Sequence, residues 1–176
     1  MFSRRHFLLG SLVAGGGLGV LAMSGGMPRL FSPGAGLVSE AQAAQVFEVA
    51  HSVEQWHAIL SPAQFNILRE EGTERPYSSP LNDEHRDGTF ACAGCDLALF
   101  SSSTKFDSHT GWPSFWQPLD KAVGVRADRS FGVLRQEVHC ARCGGHLGHV
   151  FDDGPRPTGL RYCMNGLAMK FAPQAA

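Results

Sequence analysis

The sequence predicts a mainly β domain, mostly antiparallel, preceded by one or two helices. From Thr89 onward, short apolar runs recur between Gly, Pro, Ser and Asp punctuation, which is the pattern of short strands. Before that point, helix start and stop signals fall between Val53 and Gly72. With 43% hydrophobic and 18% charged residues in 176, the chain has the apolar content of one folded domain rather than of a disordered segment.

Residues 1–43 stand apart from that domain. Ser3-Arg4-Arg5-His6-Phe7-Leu8-Leu9 sets a positive pair before an apolar stretch that carries no Lys, Arg, Asp or Glu from His6 to Pro28. Ala41-Gln42-Ala43 then supplies a small-residue cleavage site. This order resembles a twin-arginine export signal. The expectation is a leader cleaved after about Ala43 and a mature protein in the periplasm or otherwise exported. An uncleaved anchor is the alternative, weakened by recurrent glycines that lower both helix propensity and transfer energy.

Residues 44–60 read as an N-terminal extension with a weak helix over Val53 to Leu60. The clearer helix starts at Ser61-Pro62-Ala63-Gln64, where Ser caps, Pro suits the first position and Gln completes a capping box. Gly72 is the expected stop. Phe65, Ile67 and Leu68 form its apolar side. Thr73 to Gly88, with its prolines and paired serines, reads as an irregular connection. Strands are expected over 89–91, 97–100, 123–125, 131–134, 136–139, 149–151, 161–164 and 168–171. With 15 basic against 16 acidic side chains there is no positive excess to neutralise phosphates, so nucleic acid is not an expected partner.

Five cysteines cannot all pair within one chain. Cys92-Ala93-Gly94-Cys95 and Cys140-Ala141-Arg142-Cys143 are two C-x-x-C knuckles, which together match a closed tetrahedral zinc site. The intervening residues 96–139 exceed a simple ribbon loop, so the ion would tie two distant hairpins together in a structural role. Two redox dithiols or two local disulfides are the alternatives, although neither motif has the strand-to-helix context of a thioredoxin-like site. A closed site leaves no metal-bound water for catalysis. Any chemistry then falls to the fifth cysteine, Cys163.

Alone, Cys163 would read as a small buried hydrophobe. Its company differs. Gly145-His146-Leu147-Gly148-His149-Val150-Phe151-Asp152-Asp153 brings two histidines and an acidic pair able to move protons near neutral pH. Gly111-Trp112-Pro113-Ser114-Phe115 offers an aromatic wall for a small ligand, with Trp112 and Phe115 as candidate contacts.

These segments, with Glu71-Gly72-Thr73-Glu74, Lys105-Phe106-Asp107-Ser108, both knuckles and Arg161-Tyr162-Cys163-Met164-Asn165, closely resemble the methionine-R-sulfoxide reductases of the B type from about Ser61 to Phe171. The resemblance implies that residues 61–172 form the reductase domain, as two antiparallel sheets in a small barrel-like β domain with one structural Zn2+ held by Cys92, Cys95, Cys140 and Cys143. It implies Cys163 as nucleophile, Trp112 against the substrate methyl group, and His146, His149, Asp153, Arg161 and Asn165 around the pocket. His149 is the first candidate proton donor. Expected partners are proteins or peptides carrying methionine sulfoxide and a thioredoxin-like or other thiol reductant, acting on a monomer. Many members carry a resolving cysteine where this chain has Thr110 or Glu71, so an external thiol would have to reduce the Cys163 sulfenic acid directly. A zinc-ribbon-like binding module explains the knuckles but not the histidines or Cys163, and a cysteine hydrolase would further require an oxyanion hole.

Overall fold

The structure, a computed structural model, describes residues 46–175, and the leader expected over residues 1–43 lies outside them. Ser52 and Ser61 open two helices in the same way. Each hydroxyl accepts from the backbone N–H of the glutamine three residues on, and each glutamine reaches back to the serine N–H. α1 spans Val53–Ile59 and buries Trp56; α2 spans Pro62–Glu70 and buries Phe65, Ile67 and Leu68. The turn that stops α2 comes one residue before the expected glycine: Glu71 takes the left-handed conformation (φ 57°, ψ 30°). The Gly72 N–H then bonds the Asn66 carbonyl at 2.9 Å. No helix among the described residues is long and apolar enough to cross a membrane.

The strands, in chain order, are β1 (Gly88–Cys92), β2 (Ala98–Ser101), β3 (Lys105–Phe106), β4 (Ser114–Phe115), β5 (Val123–Asp128), β6 (Arg135–Cys140), β7 (His146–Phe151), β8 (Arg161–Met164) and β9 (Met169–Pro173). They make two antiparallel sheets, one in the order β2-β1-β9 and one in the order β3-β4-β8-β7-β6-β5. This corrects the expected barrel-like β domain. Closure would need a ladder between the outer strands, and among the described residues neither β2 nor β9 pairs with β3 or β5. The fold is a mixed one of helices and two open antiparallel sheets.

Two local expectations also change. Residues 131–134 do not form a strand: a 3-10 turn covers Ser130–Gly132, with Gly132 at φ 73°, a conformation that breaks an extended run. The two-residue strands β3 and β4, too short and polar to stand out in sequence, are present and tie the Trp112 loop to β8.

The core lies between the sheets. Phe90 and Phe100 face each other across β1 and β2. From the other sheet, Phe115 stacks on Phe100 (centroids 4.3 Å, 15°) and meets Phe90 edge-on at 4.9 Å. Phe115 has no exposed surface. The structure therefore moves it from the expected substrate contacts into the hydrophobic core.

Candidate active site

Cys92 ends β1 and Cys140 ends β6, so the two knuckles stand at the tips of strands from different sheets. They are the same turn used twice. The N–H of Asp96 bonds the Cys92 carbonyl and the N–H of Gly144 bonds the Cys140 carbonyl, both at 2.9 Å. Asp96 (φ 60°) and Gly144 (φ 68°) share the left-handed conformation. The sulfurs of Cys92 and Cys143 are 3.7 Å apart, those of Cys95 and Cys140 3.5 Å, and all four lie within 4.8 Å of one another. Four thiolates about 2.3 Å from one tetrahedral ion would stand about 3.8 Å apart, so the spacing and the soft donor set fit such a metal. None of the four is in a disulfide. The cluster brings together cysteines from both sheets, and the Arg142 guanidinium of one knuckle donates to the Cys95 carbonyl of the other at 3.2 Å.

The second group of residues lies on one face of the six-stranded sheet, because directly opposed residues in antiparallel strands share a face. Ser114 on β4 opposes Cys163 on β8, Cys163 opposes His149 on β7, His149 opposes Glu137 on β6, and Glu137 opposes Arg126 on β5. One row of register thus crosses five strands. Gly148 lets β7 lie this close behind the cysteine, since a Cβ there would sit 2.1 Å from the Cys163 carbonyl oxygen.

His146, three residues before His149, would face the other way in a regular strand. A bulge between the Val138↔Gly148 and His139↔His146 pairs leaves Leu147 unopposed and returns His146 to the His149 face. The two rings then meet edge to face at 5.5 Å.

Cys163 opens into a cavity of about 230 Å³ with Thr73, Trp112, His149, Phe151 and Asn165 among its walls. That volume suits one side chain and falls short of the range for larger organic ligands. The Trp112 indole N–H donates to the Glu74 carbonyl at 3.2 Å, which fixes the ring plane. The His149 Nε2 lies 2.8 Å from Asp128 Oδ2. Asp128 is held below the usual carboxylate range, first by Ser130 and also by His149 and Arg135, so it accepts and the proton sits on Nε2. In the neutral ring this leaves Nδ1 as the nitrogen without a proton. Burial lowers His149 below the usual imidazole range, with the Asp128 hydrogen bond pulling the other way.

Arg161 lies two residues before Cys163 on β8, and its charge interacts with that sulfur. Asp153 holds Arg161 through two parallel hydrogen bonds of 2.8 Å each, and the Arg161 guanidinium stacks 4.3 Å above the Phe151 ring. Asp153 keeps the Arg161 charge fixed, and Cys163 adds to the same effect. Asp153 itself has 60% of its side chain exposed and forms no wall of the cavity.

Two further expectations shift position. His146 lines the neighbouring cleft and not the Cys163 cavity; its Nδ1 meets Glu137 Oε1 at 2.9 Å and its Nε2 has no hydrogen-bond partner among the described residues. Asn165 borders the cavity, yet its amide is committed to the backbone: Oδ1 accepts from the Glu74 N–H at 3.0 Å and Nδ2 donates to the Leu147 carbonyl at 3.1 Å. The Glu74 carboxylate accepts from the Gly166 and Leu167 N–H groups just beyond. Asn165 braces the turn that carries Cys163.

Sequence reading missed Asp128, Glu137 and Glu74, which orient the histidines and this turn. No local spacing signals them, because each partner lies on another element; only strand register brings them together. Thr110 was singled out as a missing cysteine. Its Oγ1 lies 3.7 Å from the Cys163 sulfur.

The SelR domain family matches residues 60–173, which include both knuckles and every residue of the cavity. The chain belongs to that family. Among its SelR-family relatives, the peptide methionine sulfoxide reductase MsrB of Bradyrhizobium diazoefficiens is 55% identical over 128 residues, covering 72% of this chain and 92% of the relative. The MsrB proteins of Pseudomonas entomophila (50% identical, 98% of the relative) and Leptospira interrogans (52%, 96%) match over 72% and 71% of the chain.

Proposed function

We propose that this SelR-domain protein is a peptide-methionine (R)-S-oxide reductase that uses Cys163 as its nucleophile. The observation that carries this reading is the cavity itself. A thiol with a fixed cation beside it, a histidine across the strand pair and a tryptophan face opposite suit a substrate with a methyl group, an electrophilic sulfur and a basic oxygen.

The Cys163 thiolate, with the Arg161 guanidinium beside it, attacks the sulfoxide sulfur while the oxygen is protonated. His149 is the donor from Nδ1, with Asp128 holding Nε2–H. Its lowered basicity makes the imidazolium less populated but a stronger acid once formed. The substrate sulfur gains two electrons and leaves as methionine; Cys163 loses two and keeps the oxygen as sulfenic acid. Among the described residues no other thiol lies outside the four-cysteine cluster. Two equivalents of an external thiol, such as a thioredoxin-like donor, then return Cys163 to the thiol, forming a disulfide and water.

We assign Zn2+ to the four-cysteine cluster, where it would hold the sheets together and take no part in the reaction. Resemblance to the methionine-R-sulfoxide reductases supports the R epimer, with Trp112 and His149 both lining the cavity that would select it. The Arg4-Arg5 leader pattern supports export and repair of methionine outside the cytoplasm; N-terminal sequencing of the protein from the exported fraction checks cleavage near Ala43.

The deciding experiment offers each epimer of a methionine sulfoxide peptide with a dithiol. The R epimer is reduced and the S epimer is not, and Cys163→Ser loses turnover while keeping its metal and melting temperature. Equal use of both epimers, or an active Cys163→Ser protein, sinks the assignment.

A further inference from the structure

Three hydroxyls run from the Cys163 sulfur to a backbone carbonyl. Thr110 Oγ1 is 3.7 Å from Cys163 Sγ and 2.8 Å from Ser108 Oγ; Ser108 Oγ is 2.7 Å from Ser114 Oγ; and Ser114 Oγ donates to the Trp112 carbonyl at 3.1 Å. Ser114 is 1% exposed, so the inner end of the chain is closed to water.

Counting protons fixes the direction of every link. The carbonyl can only accept, and each hydroxyl has one hydrogen to give. With Cys163 as a thiol, four hydrogens fill four links in one arrangement: sulfur to Thr110, Thr110 to Ser108, Ser108 to Ser114, Ser114 to the carbonyl. With Cys163 as a thiolate, one hydrogen is gone. Placing a donor on the anion then turns all three hydroxyls around and leaves the link to the Trp112 carbonyl as the one without a hydrogen. The loss falls on the 3.1 Å contact between neutral groups, while the charged sulfur gains a charge-assisted hydrogen bond.

We propose that Thr110, Ser108 and Ser114 form a reversible hydrogen-bond relay that donates to the Cys163 sulfur when it is anionic and accepts from it when it is a thiol. The proposal deepens the reading of Cys163 as nucleophile and rests on it. Thr110 touches the sulfur; Ser108 and Ser114 are positioning residues that act through it. The charged and titratable groups facing the same sulfur are Arg161, held by Asp153, on its own strand, His149, backed by Asp128, on β7, and Arg135 across the cavity. On the Thr110 loop the titratable neighbours Asp107 and His109 are exposed and pair with each other, so the contact from that loop to the sulfur is the Thr110 hydroxyl.

The test is alkylation of the intact protein by iodoacetamide across pH, followed at the Cys163 peptide by mass spectrometry. At neutral pH, Thr110→Val is expected to slow alkylation about tenfold, the order of one hydrogen bond to a charged group. Ser108→Ala, which does not touch the sulfur, is expected to slow it roughly threefold in the same sense, because an unsupported Thr110 is a weaker donor. Thr110→Ser restores the wild-type profile. In alkaline solution, where the sulfur is ionised in every variant, the rates meet or pass that of the wild type. A wild-type profile for Ser108→Ala, or slowing by the same factor at every pH, overturns the relay. The readout needs no sulfoxide, so a protein that shows this pattern but fails to reduce methionine sulfoxide keeps the relay and loses the reductase assignment.

Discussion

Thr110→Cys puts a second thiol beside Cys163. The present Oγ1···Sγ separation is 3.7 Å, and a disulfide needs about 2.05 Å. A C–S bond is roughly 0.4 Å longer than the C–O bond it replaces, so modest side-chain rotations at two half-buried positions supply the rest. The residues are 53 apart in sequence, and closing a loop of that length removes denatured-state entropy worth at most about 4 kcal/mol. For a domain of this size that corresponds to at most roughly 15 °C in melting temperature. After one turnover with methionine R-sulfoxide and no reductant, the variant should lose one water from its sulfenic acid and form the bond between positions 110 and 163. Mass spectrometry should show the loss of two hydrogens relative to the reduced protein, no adduct with dimedone, and a higher melting point that a reductant abolishes. The unmodified protein should instead give the dimedone adduct at Cys163. A variant that keeps a trappable sulfenic acid and an unchanged melting point would refute the geometry on which this rests.

Two further perturbations separate structure from chemistry. Cys92→Ser opens the four-sulfur cluster, and because a structural metal of this kind contributes on the order of 10 kcal/mol, the expected result is metal release and loss of the cooperative melt; a metal-free protein with wild-type stability and activity would contradict it. Glu137 tests the buried charge row. Burial by itself would raise its carboxyl, but His139, His146 and Arg126 overcome this and hold it at about 2, against 4.5 in the unfolded chain. Its stabilising contribution is therefore complete above pH 4.5 and disappears as the pH falls from there towards 2. Glu137→Gln should be less stable than wild type at neutral pH and show a shallower decline through that acid window in denaturant titrations; parallel declines would show that this carboxylate does not carry the dependence.

Much of this protein is written locally. Both capping boxes, the C-x-x-C knuckles and the separate status of Cys163 are short-range patterns, in which residues a few positions apart determine each other's geometry. The helix at Ser61 and most of the strands could be read for that reason. The family resemblance rests on the same local runs; of the pocket residues it implied, Cys163, Trp112, His149 and Asn165 border one cavity, while Arg161, Asp153 and His146 do not line it.

What only the tertiary structure decided depends on register and on the far side of each strand. The bulge at Leu147 sets which way His146 faces, the row from Ser114 to Arg126 joins five strands, and Asp128 reaches His149 from 21 residues away. Phe115 sits in the same apolar run as Trp112, but strand alternation turns it into the core while the tryptophan faces the cavity. The open sheets, too, are set by which outer strands lack partners among the described residues, and a sequence pattern that marks a strand does not say what lies beside it.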